Sequence, residues 1–178
     1  MVKKHYITTI LLIVTICSCK TENDKSKWTK EQVSYHETFM KFCTYVDNKQ
    51  IDKLPLDTLF KDYIYFDYVL NDTSSERKDR RLKKFPSVLQ SFQHYIDSIG
   101  ADNIDARPIS YYDKDVEFFK PFTLQLKDEI PNVLAYYQKG KEDKPIGTIL
   151  FEAKTHKIIA WIIINQGGYY YYMIFSLV

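Results

Sequence analysis

Residues 133–177 have the sequence VLAYYQKGKEDKPIGTILFEAKTHKIIAWIIINQGGYYYYMIFSL. The apolar runs in this stretch are short and rich in tyrosine and isoleucine, and polar segments with glycine, proline or lysine separate them. Aromatic and β-branched residues in short runs favour strands over helices. The sequence therefore predicts four strands, at residues 133–138, 146–153, 158–165 and 169–177.

The segments between these runs indicate how the strands pair. They are too short for the crossover that a parallel pair needs, so they favour an antiparallel meander. The runs at 111–119 and 123–127 allow for one or two further strands. Residues 158–164, Ile-Ile-Ala-Trp-Ile-Ile-Ile, are too few to cross a membrane. We expect this run to be a central strand that is covered on both faces.

The N-terminal half carries helical patterns. Thr29-Lys30-Glu31-Gln32 is a capping box, and Trp28 with Val33 has the arrangement of a hydrophobic staple. Apolar residues at helical spacing follow, which predicts a helix from about Lys30 to about Asn48. His36 lies on the apolar face of that helix, and we interpret it as a hydrogen-bonded core histidine rather than a ligand.

A second helix is predicted to begin at Pro86 and to end at Gly100, a residue that suits a helix C-cap. Asp57 is expected to cap a short helix that ends near Asp62, and the aromatic run 63–70 is predicted as a strand.

The order of these elements, with helices before the sheet, predicts an α+β fold. In this fold, N-terminal helices pack on a C-terminal antiparallel, meander-type curved sheet, within one domain at residues 29–178.

This order of elements is loosely similar to that of NTF2-like and cystatin-like folds, in which a curved sheet wraps a helix. The similarity covers residues 29–178 and rests on element order, with no signature motif. It implies no particular activity, because these folds host enzymes, binding proteins and scaffolds.

The start of the chain has the features of a secretion signal. Lys3 and Lys4 form a basic head, residues 6–16 form an apolar core, and Ile16-Cys17-Ser18-Cys19 brings a small residue before a cysteine. This pattern resembles the lipobox of bacterial lipoprotein precursors. The resemblance implies that Cys19 receives a lipid. Cys17 is the less suitable acceptor, because it follows a bulky isoleucine.

The resemblance also implies a location. Residues 1–18 are then a signal peptide, residues 19–28 a lipidated flexible tether, and the protein is held in the cell envelope by its lipid. No Asp follows Cys19 directly, which favours the outer membrane over the inner one. Glu22 and Asp24 give a faint similarity to the surface-export tags of Bacteroidota lipoproteins.

Removal of the leader changes the charge and the cysteine count. It takes away two of the 25 basic residues and no acidic one, which leaves 23 of each sign and no net charge. A neutral chain argues against nucleic acid as a partner. Cys43 is left without a cysteine to pair with, and we expect a small buried hydrophobe there. A catalytic thiol is the alternative, but the sequence shows no activating partner.

No catalytic, phosphate-binding or cofactor motif stands out in the chain. His36, His94 and His156 are widely separated after the leader, and no cysteines cluster near them. The sequence therefore predicts neither a metal site nor a cofactor.

Two groups of side chains are candidate contacts for a ligand or partner. A basic group shares one face if its segment is helical, and it could meet phosphate, a lipid headgroup or an acidic protein; a solvated helix face is the alternative. An aromatic group could line a pocket or a contact surface, although most of it is expected to pack in the sheet. The basic group is Arg77, Arg80, Arg81 and Lys84, and the aromatic group is Tyr111, Tyr112, Tyr170 and Tyr172.

These features lead to two hypotheses of different classes. The first is a lipid-anchored, non-enzymatic binding module for a protein or small ligand, one version being an immunity protein that blocks a toxin. The second is an NTF2-like enzyme with an acid/base pair in a cone-shaped pocket, for which His94 and Asp67 are candidates. A structural envelope component is a third possibility.

Overall fold

The structure is a computed structural model and describes residues 24–114 and 117–175. Cys17, Cys19 and the first half of the expected tether, residues 19–23, lie outside the described residues. The helices are α1 (Lys30–Val46), α2 (Leu56–Asp62), α3 (Asp67–Leu70), α4 (Ser75–Ile99) and α5 (Lys120–Leu124). The strands are β1 (Ile104–Pro108), β2 (Val133–Gln138), β3 (Gly147–Phe151), β4 (Ile158–Ala160), β5 (Ile163–Gln166) and β6 (Tyr169–Tyr172).

The first four strands form one antiparallel sheet in the order β1-β2-β3-β4. Neighbours in the sheet are neighbours in sequence, so the sheet is a meander, and β5 and β6 form a separate two-stranded hairpin. Helices fill the N-terminal half and most strands the C-terminal half. The predicted α+β class and the antiparallel meander are therefore confirmed.

The prediction that residues 158–165 form a single central strand is wrong. It breaks after Ala160: β4 is an edge strand of the sheet, and β5 pairs only with β6. Trp161 lies at the break and turns its indole ring into the core, with its centroid 4.8 Å from that of Phe92. A large side chain that fills the core is the physical reason for the break.

The expected strands at 111–119 and 123–127 are also absent from the parts of those runs that the structure describes. These parts form short helical turns and α5, where Phe119 and Phe122 are buried. The sheet takes β1 instead, a strand with the sequence Ile-Asp-Ala-Arg-Pro that alternates buried and half-buried residues. The run is only five residues long, has two charged residues and ends in proline, so its composition did not indicate a strand.

The first helix agrees with its sequence signals. The Thr29 hydroxyl accepts a hydrogen bond from the Gln32 backbone N–H at 3.2 Å, and the Gln32 side chain accepts one from the Thr29 N–H at 3.1 Å. The capping box is thus confirmed, and α1 ends at Val46, slightly before the expected Asn48.

Two other predictions needed correction in the helical half. Helix α4 does not begin at Pro86 but runs through it from Ser75, with the Ser74 hydroxyl as its N-cap. A proline removes one backbone donor from a helix interior, and buried side chains on both sides of Pro86 hold the helix together. Gly100 ends α4 with a φ of 84°, as its C-cap role predicts.

The predicted strand 63–70 is wrong. Only Ile64 pairs, in a single parallel bridge to Ile158, and residues 67–70 form α3. The Tyr65 N–H donates to the Ile158 carbonyl, and the Ile158 N–H donates to the Tyr63 carbonyl, each at 2.8 Å. The preceding helix α2 starts after Pro55, without the expected cap from Asp57.

Both faces of the meander are buried. One face packs against α1 and α4 in the main core, to which β2 contributes Leu134 and Tyr136. The opposite face packs against α5 and the β5–β6 hairpin in a second core, to which β2 contributes Val133 and Ala135. The alternation of side chains along a strand makes this two-sided burial possible. No helix within the described residues is long and apolar enough to cross a membrane.

We expect the replacement of Gly147 by alanine to destabilise the domain. A Cβ at this position would lie 2.7 Å from the Tyr136 hydroxyl oxygen and 2.8 Å from Cε1 of the same ring. The ring cannot yield easily, because it packs against Phe39 and Phe92 at centroid distances of 5.8 and 5.5 Å. We expect Gly147→Ala to lower the free energy of unfolding by about 1–3 kcal/mol in urea titrations.

A double-mutant cycle provides the control for this prediction. Tyr136→Leu removes the ring that the new methyl group would meet, so Gly147→Ala should cost much less in that background. An equal cost in both backgrounds would show that the clash is not the cause.

Candidate functional site

A pocket of about 240 Å³ opens at the β4 edge of the meander. It combines aromatic, aliphatic and acidic groups, and we call it the tyrosine pocket. Its lining residues are Tyr65, Tyr68, Glu152, Ile159, Ile174 and Phe175.

The aromatic side of the tyrosine pocket is built by the segment that covers the sheet edge. The backbone bonds of Tyr63 and Tyr65 to Ile158 fix this segment beside β4. Tyr68 follows in the short helix α3 and is 67% exposed. The rings of Tyr65 and Tyr68 lie at 82° to each other with centroids 5.8 Å apart, so the two rings form perpendicular walls.

The acidic group is held by the turn between β3 and β4. One carboxylate oxygen of Glu152, Oε2, accepts hydrogen bonds from the backbone N–H groups of Lys154 at 2.9 Å and Thr155 at 2.6 Å. His156 completes the turn with a φ of 58°, and its N–H donates to the Glu152 carbonyl. Glu152 is therefore fixed in place by its own turn.

Hydrogen bonding also sets the charge of Glu152. Burial raises the pKa of the Glu152 carboxyl, but the bonds from Thr155 and Lys154 outweigh this effect and hold the pKa below its ordinary value. Burial, together with the nearby charges of Asp67 and Glu152, raises the pKa of the Tyr65 phenol. At neutral pH the pocket thus contains the Glu152 carboxylate and the neutral Tyr65 phenol.

The tyrosines predicted from sequence lie away from this pocket. Tyr112 is buried, with the Arg107 guanidinium 4.3 Å from its ring centroid, and Tyr111 is half exposed beside Trp28. Tyr172 is buried and its hydroxyl donates to Thr148 Oγ1 at 2.8 Å. Tyr170 is half-buried, and its backbone N–H donates to the Gln125 side chain.

The hairpin has a second tyrosine face. Strand alternation predicts that Tyr169 and Tyr171 share one side of β6, and they are 68% and 40% exposed. The Tyr171 hydroxyl donates to Gln166 Oε1 across the hairpin at 2.6 Å. We call Tyr169, Tyr171 and their neighbour Ile164 the hairpin face.

The basic residues of α4 divide into two pairs. The guanidinium groups of Arg77 and Arg81 bind Asp72, at 2.8 and 3.2 Å, and so neutralise part of the predicted basic stripe. Arg80 and Lys84 are exposed on the same helix. The structure thus brings the first pair together around a carboxylate that the sequence reasoning did not consider.

His36, the histidine on α1, does not line the tyrosine pocket. His36 Nε2 lies 2.6 Å from Asp105 Oδ1, and His36 Nδ1 lies 3.0 Å from Lys25 Nζ. Since an ammonium group only donates, Nδ1 accepts and Nε2 carries the proton given to Asp105. His36 is therefore the hydrogen-bonded core histidine that its helix face predicts.

The residues that the sequence offered for acid/base chemistry or as a reactive thiol do not lie together in one site. His94 is exposed on α4 and contacts the Tyr95 ring, while Asp67 lies at the start of α3. Cys43 lies in the main core, where burial raises the pKa of its thiol. Within residues 24–114 and 117–175, no group of three or more histidine, cysteine or acidic side chains is arranged to hold a metal ion.

The pocket residues escaped sequence reasoning for a physical reason. Tyr65 and Tyr68 belong to a run that composition assigns to a strand, and Glu152 is one acid among many. They meet only because the chain after α2 returns to the edge of β4. The concentration of tyrosines in residues 63–68 was the available signal, but it does not reveal its partner.

Asp72 is expected to make the stability of the domain depend on pH. Hydrogen bonds and charge from Arg77, with further help from Ser74 and Arg81, lower the pKa of Asp72 from 3.8 to about 2. A depressed pKa in the folded state contributes stability above the unfolded pKa, and this contribution disappears as the pH falls through about 2. Asp72→Asn should lower the melting temperature at neutral pH by a few degrees.

Melting temperatures measured over a series of pH values test this prediction. The difference between wild type and Asp72→Asn should close as the pH is lowered from near 4 towards 2. Asp79→Asn on the same helix is the matched control, since Asp79 forms no ion pair with another described residue. A difference that stays constant down to pH 2 would contradict the assignment.

Comparison of the chain with models of protein families, with curated proteins and with solved structures found no match.

Proposed function

We propose that this chain is an envelope lipoprotein, anchored by a lipid on Cys19, whose domain binds a ligand and performs no chemistry of its own. The observation that carries the proposal is the tyrosine pocket. It presents the rings of Tyr65 and Tyr68, an apolar lining and one fixed carboxylate at an edge of the sheet.

The composition of the pocket supports binding. Tyrosine rings offer a large apolar surface with a hydroxyl for orientation and lose little conformational entropy when they bind. Phe175 and Ile174 supply apolar lining, and Glu152 supplies one charged contact. A mostly apolar concavity with few polar groups is the usual form of a small-molecule site.

The start of the described chain supports an anchor close to the domain. The first described residues are tied to the domain at two points, since Lys25 contacts His36 and Trp28 is buried. Only a few residues separate Cys19 from Asp24, and an extended chain spans at most about 3.6 Å per residue. A lipid on Cys19 would therefore hold the domain within roughly 20 Å of the bilayer.

The order of the strands separates the anchor from the pocket. Lys25 contacts His36, which binds Asp105 on β1, whereas the tyrosine pocket lies beside β4 at the other edge of the sheet. Neighbouring strands are about 4.8 Å apart, so four strands put about 14 Å between the two edges. This separation favours a ligand that approaches independently of the anchor.

A protein partner is the second candidate, and the hairpin face favours it. Tyr169 and Tyr171 are exposed next to each other, and exposed tyrosines are frequent anchors in protein interfaces. The immunity type of function would use such a face to cover a toxin.

The anchor is tested by lipid labelling. We expect Cys19→Ala to abolish incorporation of a fatty-acid analogue and to move the protein from the membrane fraction to the soluble fraction. Cys17→Ala is the matched control and should label as wild type does. Labelling that survives Cys19→Ala but is lost in Cys17→Ala would contradict the assignment of the acceptor.

The binding function is tested by site-specific photocrosslinking of the full chain in cells of its source. A photoreactive phenylalanine derivative at Tyr68 reports on the tyrosine pocket, and one at Tyr169 reports on the hairpin face. Lys83, exposed on α4, serves as the control position. We expect adducts of defined mass at Tyr68 and none at Lys83.

The pattern of adducts separates the two candidates. Defined adducts at Tyr169 alone would favour the protein partner over the pocket ligand. Adduct patterns at Tyr68 and Tyr169 that match the pattern at Lys83 would overturn the binding function itself.

A further inference from the structure

The tyrosine pocket has the electrostatic character of a cation site. The faces of aromatic rings carry partial negative charge, and Tyr65 and Tyr68 present two rings at 82°. A cation in the corner between two such walls can contact both rings. Another tyrosine pair, Tyr45 and Tyr63, is tilted at 37° rather than perpendicular, and Lys49 Nζ already lies 4.0 Å from the Tyr45 ring centroid.

Glu152 adds a full negative charge in the same place. Its Oε2 is occupied by two backbone donors, and no lysine or arginine of the described residues forms an ion pair with its carboxylate. The nearby Lys157 is engaged elsewhere, since its ammonium group donates to the Phe60 carbonyl at 3.0 Å. The charge of Lys154 helps to lower the pKa of Glu152, but Lys154 forms no ion pair with it, so the fixed carboxylate can still complement a bound cation.

The rest of the lining selects among cations. Ile159, Ile174 and Phe175 offer apolar surface that suits methyl or methylene groups. A bare divalent ion prefers several oxygen ligands, and among the described lining residues Glu152 alone has a carboxylate. A volume of about 240 Å³ is below the range of about 300–1,000 Å³ that drug-sized ligands occupy.

We propose that the tyrosine pocket binds a small, free alkylammonium ion, with the charged head against Tyr65 and Tyr68 and opposite Glu152. This inference rests on the proposed binding function and adds the class of ligand. Anions are disfavoured, because Asp67 and Glu152 both lie near the Tyr65 phenol.

The test compares two probes that differ only in charge. Choline and its neutral analogue, in which carbon replaces the nitrogen, are titrated into the full chain in a non-ionic detergent. Ligand-detected NMR follows the methyl signals of each probe. We expect choline to bind at least about tenfold more tightly than the neutral analogue, because the analogue lacks the attraction to the rings and to Glu152.

Three variants locate the site. Glu152→Gln keeps an oxygen for the two backbone donors but removes the charge, and should weaken choline binding by about tenfold. Tyr68→Leu keeps apolar area but removes the ring, and should weaken choline binding by several-fold, whereas Tyr68→Phe should weaken it less. Tyr95→Leu changes an exposed tyrosine on α4 and is the control, with wild-type binding expected.

Each outcome bears on the proposal. Equal binding of the two probes, or choline binding that is unaffected by Glu152→Gln and Tyr68→Leu, would overturn it, as would the absence of any choline binding. If choline does not bind but adducts still form at Tyr68, the ligand class is wrong and the binding function stands. If no adducts form at Tyr68 either, the pocket itself is not a binding site.

Discussion

Strand β2 requires cover on both of its faces, and the arrangement of the other elements follows from this requirement. All residues from Val133 to Tyr137 are buried, so neither face of the strand can meet water. Leaving such a strand half exposed would forfeit about 25 cal/mol for each square ångström of apolar surface. The helices α1 and α4 cover one face, and the chain has to supply a second layer for the other.

The second layer explains why the apolar run after β3 breaks in two. A single strand through residues 158–165 would add to the sheet but leave the outer face of β2 open. The break after Ala160 lets Trp161 enter the main core, while β5 and β6 leave the sheet and cover Val133, Ala135 and Leu150. One consequence is that β4 is short and forms an edge. The tyrosine pocket exists because the segment around Tyr65 covers that edge only in part.

Local signals were enough to predict some elements and insufficient for others. The capping box at Thr29, the burial of Cys43 and the strands β2 and β3 depend on neighbours within a few residues. The break at Trp161, the strand β1 and the helix α3 depend on contacts between distant parts of the chain, and propensity gave the wrong answer at residues 63–70. A tertiary contact overrides strand propensity when it satisfies the backbone in another way. Here Tyr65 bonds to β4 and leaves residues 67–70 free to form a helical turn.

The candidate site was hidden for the same reason. Tyr68 and Glu152 are distant in sequence, and each is ordinary in its local context; only the return of the chain to the β4 edge gives them a common pocket. Residues at such an edge contribute less to the cores than β2 does, since Tyr68 is mostly exposed and Glu152 is fixed by its own turn. Substitutions there should change the shape and charge of the pocket without unfolding the domain. At the opposite edge, Lys25 contacts His36 and His36 binds Asp105, so the start of the domain is secured to β1, away from the pocket.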